Sequence, residues 1–138
     1  FAGIKDTVDC QSHTRSMIQT TRAVREDFAV LSGYDEYYIP NLLAGGAGII
    51  SGLNNVMPEL FVSAREAFKQ GDLAALRDIQ DQIGTYMSIY AIGEDFVTTI
   101  KTVVSRKFGY CTGVSRNAGG ELNESECRTI DEVFVVKG

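Results

Sequence analysis

The chain has 138 residues and a formal net charge of −5, with 44% hydrophobic and 22% charged residues. This length supports one domain with a buried core, and the composition is that of a folded chain rather than a disordered one. The acidic balance argues against a nucleic-acid-binding protein, because such binding depends on a basic surface. The longest apolar run falls short of the roughly 20 residues that a membrane-spanning helix needs.

The sequence contains one histidine, His13, and three widely spaced cysteines, Cys10, Cys111 and Cys127. An odd number of cysteines with no C-x-x-C pair argues against a disulfide framework and against a zinc site. We therefore expect free thiols in the cytoplasm. The amino terminus lacks the basic and apolar regions of a secretory signal. Because the chain opens at Phe1 inside a predicted strand, we expect it to be part of a longer protein.

The first 57 residues alternate between apolar runs and amphipathic stretches. Strands are predicted at residues 1–6, 28–32 and 48–51, with helices over 12–25 and 35–43. This alternation is typical of βαβ units, and near-continuous apolar strands indicate a parallel sheet. A sheet of only three such strands has two unpaired edges, so we expect it to need further strands from another chain, a second copy or a preceding segment.

The remaining residues, 58–138, have a helical pattern. Helices are predicted over residues 58–69, 73–90 and 94–108, with apolar residues recurring every three or four positions. The glycine-containing stretch 109–122 is predicted to be a loop. Asn123, with Glu126 three residues later, resembles a capping box and predicts a last short helix.

Lys5 is the first candidate for chemistry, because it lies at the carboxyl end of the first predicted strand. Side chains at that end of a parallel strand face the mouth of the site in α/β folds. Apolar walls would disfavour the ammonium form and free the amine for imine formation with a ketone. The alternative is a surface lysine paired with Asp6 or Asp9.

The second candidate follows the second strand, where Gly33 permits a sharp turn before Asp35 and Glu36. Two carboxylates at a strand end can accept hydrogen bonds from substrate hydroxyls. The alternative is that both simply lie at a helix amino terminus, where the helix dipole favours negative charge.

The glycine-rich segment 45–52 matches neither a Walker loop nor a dinucleotide-binding motif. It predicts a tight helix-to-strand turn followed by a strand whose bare backbone approaches a ligand. We predict that four tyrosines, Tyr37, Tyr38, Tyr86 and Tyr90, belong to the core or to an interface, and that His13 is solvated.

Three segments in this order resemble a known family. They are Gly3-Ile4-Lys5-Asp6-Thr7, Ser32-Gly33-Tyr34-Asp35-Glu36, and residues 45–55. Together they are similar to the carboxyl half of the pyruvate-dependent class I aldolases, the group of (β/α)₈ barrels that includes dihydrodipicolinate synthase and N-acetylneuraminate lyase. The sequence around Lys5 most resembles the 2-keto-3-deoxygluconate aldolase branch. The helical part after Pro58 resembles the family's extra carboxyl-terminal helices.

The resemblance implies a role for each matching residue. Lys5 corresponds to the lysine that forms the Schiff base with pyruvate, so no cofactor is implied. Gly33, Asp35 and Glu36 correspond to a turn that holds substrate hydroxyls in the sialic-acid lyase branch. Ile50 corresponds to a position whose backbone lines the pyruvate pocket. Gly52 stands where sialic-acid lyases carry a serine, a departure that favours a smaller sugar acid.

The sequence therefore predicts an α/β fold, the carboxyl-terminal half of a (β/α)₈ barrel with extra carboxyl-terminal helices. Residues 1–57 would supply strands six to eight, and residues 58–138 the last barrel helix and the helical extension. The implied function is Schiff-base cleavage of 2-keto-3-deoxy sugar acids to release pyruvate in an intact barrel, with the isolated chain inactive. The partners are a small 2-keto acid and a second copy or a complementing amino-terminal half, without nucleic acid or membrane. The alternatives are a non-catalytic half-barrel that self-associates and a dihydrodipicolinate synthase-like condensation.

Overall fold

The computed structural model describes residues 1–116 and 120–135. Its three strands form one parallel sheet in the order β1–β2–β3, and their bounds are Gly3–Asp6, Ala29–Ser32 and Gly48–Ile49. The three predicted parallel strands are confirmed. The third is shorter than expected, because after the amide of Ile50 bonds to the carbonyl of Ser32 at 2.9 Å the chain turns into a 3₁₀ helix, Leu53–Asn55.

Two helices cover one face of this sheet. Helix α1 spans Gln11–Val24, and helix α2 spans Tyr38–Leu43 after a 3₁₀ turn at Asp35–Tyr37. Both pack on β2 and on each other. The predicted helix over 35–43 is thus split in two, and Pro40 lies in the first turn of α2, where a backbone donor has no helical partner.

The strand side chains alternate between the two faces of the sheet. Asp6, Val30 and Ser32 are buried towards the helices, whereas Lys5 is exposed and its register partner Leu31 only half-buried on the other face. One face of the sheet is therefore covered, and the face that bears Lys5 stays accessible in the part of the chain that the structure describes.

The predicted helix-to-strand turn is confirmed between α2 and β3. Gly45 has φ +85° and Gly48 has φ +146°, both in the region that side chains disfavour. Asn41, buried on α2, fastens the turn: its side-chain amide donates to the carbonyl of Val30 at 3.2 Å, and its Oδ1 accepts from the amide of Gly48 at 3.2 Å.

Four further α-helices follow in the described residues, α3 (Pro58–Gln70), α4 (Leu73–Tyr86), α5 (Phe96–Phe108) and α6 (Glu124–Ile130). The predicted helix over 73–90 is correct as far as Tyr86 and then tightens into a 3₁₀ helix, Met87–Ala91. The predicted capping box is confirmed, because Asn123 Oδ1 accepts from the amide of Glu126 and Glu126 Oε2 accepts from the amide of Asn123. Residues 117–119 of the predicted loop and 136–138 of the predicted helical extension lie outside the described residues.

The main hydrophobic core lies between the helices rather than against the sheet. It joins α2 and the segment before α3 to α3, α4, α5, α6 and the turn that follows α6 (Asp131–Val135). Its fully buried members are Leu53, Val56, Ala64, Ile83, Ile89, Val103 and Ile130. Among the described residues, the half-buried Ile49 of β3 packs against this cluster. Among the described residues, none of the helices is long and apolar enough to cross a bilayer.

Candidate active site

A cavity of about 390 Å³ opens where the carboxyl ends of β1 and β2 meet the helical part of the chain. Parallel strands deliver their carboxyl ends to the same edge of a sheet, which is why residues distant in sequence converge there. The cavity is lined by Lys5, Thr7, Gly33, Tyr34, Asp35, Gly52, Met87, Tyr90 and Phe96.

Lys5 lies across the turn that follows β2. A Cβ atom on Gly33 would stand 2.8 Å from Lys5 Cε and 2.2 Å from Thr7 Oγ1, so the lysine can occupy this position only because residue 33 lacks a side chain. The sequence predicts apolar walls around the Lys5 amine, whereas the structure places Lys5 at an exposed position. The reason is that β1 is an edge strand, so walls stand on one side of the lysine only.

The alternative view of Lys5 as a surface ion pair also fails. Within the described residues, Lys5 forms no ion pair with Asp6 or Asp9. Asp6 bonds to His13 and Thr14 instead, and Asp9 accepts a hydrogen bond from the hydroxyl of Tyr37 at 2.6 Å.

Asp35 is the buried carboxylate of the cavity, with 2% of its surface exposed. Its Oδ2 accepts a hydrogen bond of 2.6 Å from the hydroxyl of Tyr90, whereas its Oδ1 has no hydrogen-bond partner. Asp35 therefore does more than begin a helical turn, and its side chain makes no cap to that turn. A buried carboxylate oxygen without a partner is costly, and a donor from a bound molecule would relieve that cost.

Tyr90 reaches the cavity from the 3₁₀ helix that follows α4. Its hydroxyl donates to Asp35 and also accepts from the amide of Leu53 at 3.1 Å. Burial and the hydrogen bond to the Asp35 carboxylate raise the pKa of Tyr90 well above that of a free phenol. The phenol therefore stays protonated at neutral pH and remains a donor to Asp35.

The other predicted site residues do not all reach the cavity. Gly33 and Gly52 line it, but Glu36 and Ile50 do not, and both are exposed. Glu36 follows Asp35 on a 3₁₀ turn, whose geometry sends successive side chains in different directions. The structure therefore does not bring Glu36 into this cavity beside Asp35.

Behind Lys5, Asp6 faces α1 and organises the turn between β1 and that helix. Its Oδ2 accepts from Thr14 Oγ1 at 2.6 Å and lies 3.1 Å from His13 Nδ1, while Oδ1 accepts from the amide of Val8 at 3.3 Å. Burial opposes ionisation of Asp6, but the hydrogen bonds from Thr14 and His13 outweigh it and lower its pKa. His13 is thus a partner of Asp6 rather than merely solvated.

Comparison with known proteins places this geometry in a family. The model of the dihydrodipicolinate synthetase family matches residues 1–133, nearly the whole chain. The chain belongs to the dihydrodipicolinate synthetase family.

Curated members of the family are longer than this chain. It is 40% identical over 101 residues to the probable 2-dehydro-3-deoxy-D-pentonate aldolase YjhH of Escherichia coli, a match that covers 73% of the chain and 34% of that protein. It is 36% identical over 102 residues to the putative 2-dehydro-3-deoxy-D-gluconate aldolase YagE, covering 74% and 34%. The 4-hydroxy-tetrahydrodipicolinate synthase of Methanoculleus marisnigri matches the whole chain at 32% identity and 46% of its own length. The chain thus spans a third to a half of these relatives.

Solved structures of the dihydrodipicolinate synthetase family share the fold. The crystal structure of E. coli YagE in complex with pyruvate superposes with a TM-score of 0.89 and 28% identity, covering 99% of this chain and 47% of YagE. The arrangement of three parallel strands and their helices is therefore that of a contiguous part of a family member.

Sequence reasoning missed the contribution of the helical region to the cavity. Met87, Tyr90 and Phe96 line it from the segment after α4, and the rings of Tyr90 and Phe96 lie 5.9 Å apart. Tyr90 was predicted to be a core or interface residue. That prediction follows from the apolar periodicity of the predicted helix over 73–90, and the structure shows instead that Tyr90 lies on a 3₁₀ segment that turns it towards Asp35.

Proposed function

We propose that this chain carries the Schiff-base lysine and the hydroxyl-binding wall of a class I aldolase that cleaves 2-keto-3-deoxy sugar acids and releases pyruvate. The observation on which the proposal rests is one cavity lined by both Lys5 and the buried Asp35, whose Oδ1 has no partner. An amine and a hydroxyl acceptor in one cavity are the two groups that a hydroxylated keto acid needs.

The proposed chemistry begins with the amine of Lys5. It attacks the keto carbon of the substrate, and the carbonyl oxygen leaves as water to give an imine. With the imine protonated, the electron pair of the C3–C4 bond forms a C2=C3 bond and the C=N electrons move to nitrogen, while a base takes the proton of the C4 hydroxyl, which becomes an aldehyde. The enamine left on Lys5 takes up a proton at C3, and hydrolysis frees pyruvate and the amine.

Asp35 is assigned to the substrate's hydroxyl groups rather than to proton transfer. Its Oδ2 is already occupied by Tyr90, and Oδ1 remains an acceptor. The apolar cavity walls from Met87 and Phe96 suit the carbon chain between those hydroxyls. The names of YjhH and YagE, both aldolases of 2-dehydro-3-deoxy sugar acids, support this substrate class.

The proposal includes a partner that completes the site. β1 and β3 are the two edges of the sheet, and Ile4 on β1 and Ile50 just beyond β3 are 42% and 50% exposed. Unpaired edges with apolar side chains favour addition of further strands. A complementing half-barrel, or a second copy of this chain, would cover Lys5 from its open side and supply the base.

Reductive trapping tests the role of Lys5. The full chain is incubated with pyruvate and borohydride, and the intact mass and modified peptides are measured. We expect one reduced pyruvate per chain, on Lys5, lost in Lys5→Ala and retained in Lys69→Ala, whose lysine is an exposed partner of Glu66. Modification spread evenly over the lysines, or no modification of Lys5, would contradict the proposal.

Two other functions have support from particular observations. Self-association without catalysis is supported by the exposed sheet edges, and it predicts oligomers on sizing with no adduct on Lys5. Condensation of pyruvate with an aldehyde is supported by the similarity to the M. marisnigri synthase over the whole chain. It predicts trapping by pyruvate without any preference for hydroxylated keto acids.

A further inference from the structure

The hydrogen bonds of Tyr90 connect three separate parts of the cavity wall. The Tyr90 hydroxyl has a single proton, which it donates to Asp35, and it uses a lone pair to accept from the amide of Leu53. Leu53 is fully buried and directly follows Gly52, a cavity residue. Tyr90 therefore ties the turn after β2 to the segment after β3.

This arrangement sets which oxygen of Asp35 is free. Since the buried phenol has no second proton, it can satisfy Oδ2 but not Oδ1. Without the phenol, both carboxylate oxygens of Asp35 would lack a partner, and the side chain would lose the bond that fixes its orientation. A carboxylate held by a neutral donor presents its remaining oxygen in one direction.

The same hydroxyl accounts for a glycine at position 52. A Cβ atom there would stand 2.5 Å from Tyr90 Oη and 2.7 Å from Ile100 Cδ1, closer than real Cβ contacts come. Gly52 has φ −75°, a value that other residues adopt freely, so its backbone does not require glycine. The tyrosine hydroxyl occupies the space that a side chain at 52 would take.

We propose that Tyr90 is a positioning residue that determines specificity: it holds Asp35 with one oxygen available to a substrate hydroxyl, and its own hydroxyl fills the space that only glycine at position 52 leaves open. This role rests on the proposed function of Lys5 and Asp35. Tyr90 acts through Asp35, so it affects ligands that carry hydroxyl groups and not the formation of the imine itself.

The test compares two keto acids of equal length on the full chain. 2-Dehydro-3-deoxy-D-gluconate carries hydroxyl groups, and 2-oxohexanoate carries none. Borohydride trapping on Lys5 is measured against concentration for the unmodified chain, Tyr90→Phe and the control Tyr86→Phe. Tyr86 is a half-buried tyrosine that packs on Phe134 and does not line the cavity.

We expect Tyr90→Phe to raise the half-saturating concentration of the hydroxylated acid about tenfold, the effect of a weakened hydrogen bond to a charged group. The value for 2-oxohexanoate should stay unchanged, and Tyr86→Phe should change neither. Equal effects on both acids, or no effect on either, would overturn the positioning role while leaving Lys5 as the Schiff-base residue. If the unmodified chain traps neither acid, the proposed function fails, and the role of Tyr90 fails with it.

A double-mutant cycle tests the packing of Gly52 against Tyr90 independently of any ligand. Melting temperatures are compared for the unmodified chain, Gly52→Ala, Tyr90→Phe and the double variant. Because the Phe ring lacks the hydroxyl that stands 2.5 Å from the added methyl, we expect the double variant to melt higher than the sum of the single effects predicts. A strictly additive decrease would contradict the claim that the hydroxyl excludes a side chain at 52.

Discussion

The sheet and the helical region differ in where their apolar side chains lie. The helices from α2 onwards enclose a continuous core with many fully buried members. The sheet region carries Lys5 and one wall of the cavity, yet it leaves Ile4 and Ile50 exposed. The candidate chemistry therefore sits on the part of the molecule with the least apolar burial, and the helices supply most of the stability.

This difference bears on how the site is held in place. Two polar clusters, rather than apolar packing, fix the strand ends: Asp6 with His13 and Thr14, and Asp35 with Tyr90. Buried hydrogen bonds fix geometry well but add little net stability. We expect backbone amides of β1 to exchange with solvent faster than those of α4, because local opening follows the density of apolar contacts.

The largest expected effect is in the helical core. Ile83 on α4 is fully buried, and Ile83→Ala should lower the free energy of unfolding by about 2–5 kcal/mol because it leaves a cavity. Urea denaturation measures it. Val62→Ala, at a position 62% exposed on α3, is the matched control and should change stability by less than about 0.5 kcal/mol. Equal effects of the two substitutions would show that burial of Ile83 between the helices does not stabilise the fold.

A smaller but pH-dependent effect is expected at Asp6. Asp6→Asn should cost about 1–3 kcal/mol at pH 7, since the buried site has donors arranged for a carboxylate. The folded-state pKa of Asp6 lies below its ordinary value of 3.8. Its contribution is therefore fully present above that value and lost as the pH falls through the folded-state pKa.

Urea midpoints measured from pH 7 down to pH 3 test this prediction. The difference between the unmodified chain and Asp6→Asn should shrink as the pH falls below about 4, where the Asp6 carboxylate becomes protonated. Asp78→Asn is the control, because Asp78 is an exposed partner of Arg77. A difference that persists or grows as the pH falls from about 5 to 3 would contradict a lowered pKa for Asp6.

The fold was largely predictable because its signals are local. Apolar runs at strand spacing, the turn at Gly45 and the capping box at Asn123 each depend on neighbouring residues. The third strand ended early and the helix over 73–90 tightened after Tyr86, because both ends depend on packing between distant segments. Element ends are set by tertiary contacts that a local pattern does not contain.

The candidate site was predictable only in part. Lys5, Gly33 and Asp35 lie at strand ends, so their convergence follows from the parallel topology. Tyr90 is 55 residues from Asp35, and the pattern around it is that of a core helix. Glu36 was placed with Asp35 because the two are adjacent in sequence, but a 3₁₀ turn separates their side chains. Lys5 is exposed because β1 is an edge strand, and the order of the strands in the sheet is not contained in the residues around Lys5.

The smallest expected effect on stability is at the sheet edge. A substitution at Ile50, beside β3, is expected to change association of the chain with a partner rather than its free energy of unfolding. Ile50→Thr keeps a β-branched residue at an exposed position, so the free energy of unfolding should change by less than about 0.5 kcal/mol. If strands of a partner pair with β3, the same substitution removes apolar area from that contact and should weaken association about tenfold. Sedimentation over a concentration series measures the association, with Val62→Thr, at an exposed β-branched position on α3, as the helical control. Identical association of the two variants would place any self-contact away from the β3 edge and leave the β1 edge, which bears Lys5, as the candidate contact.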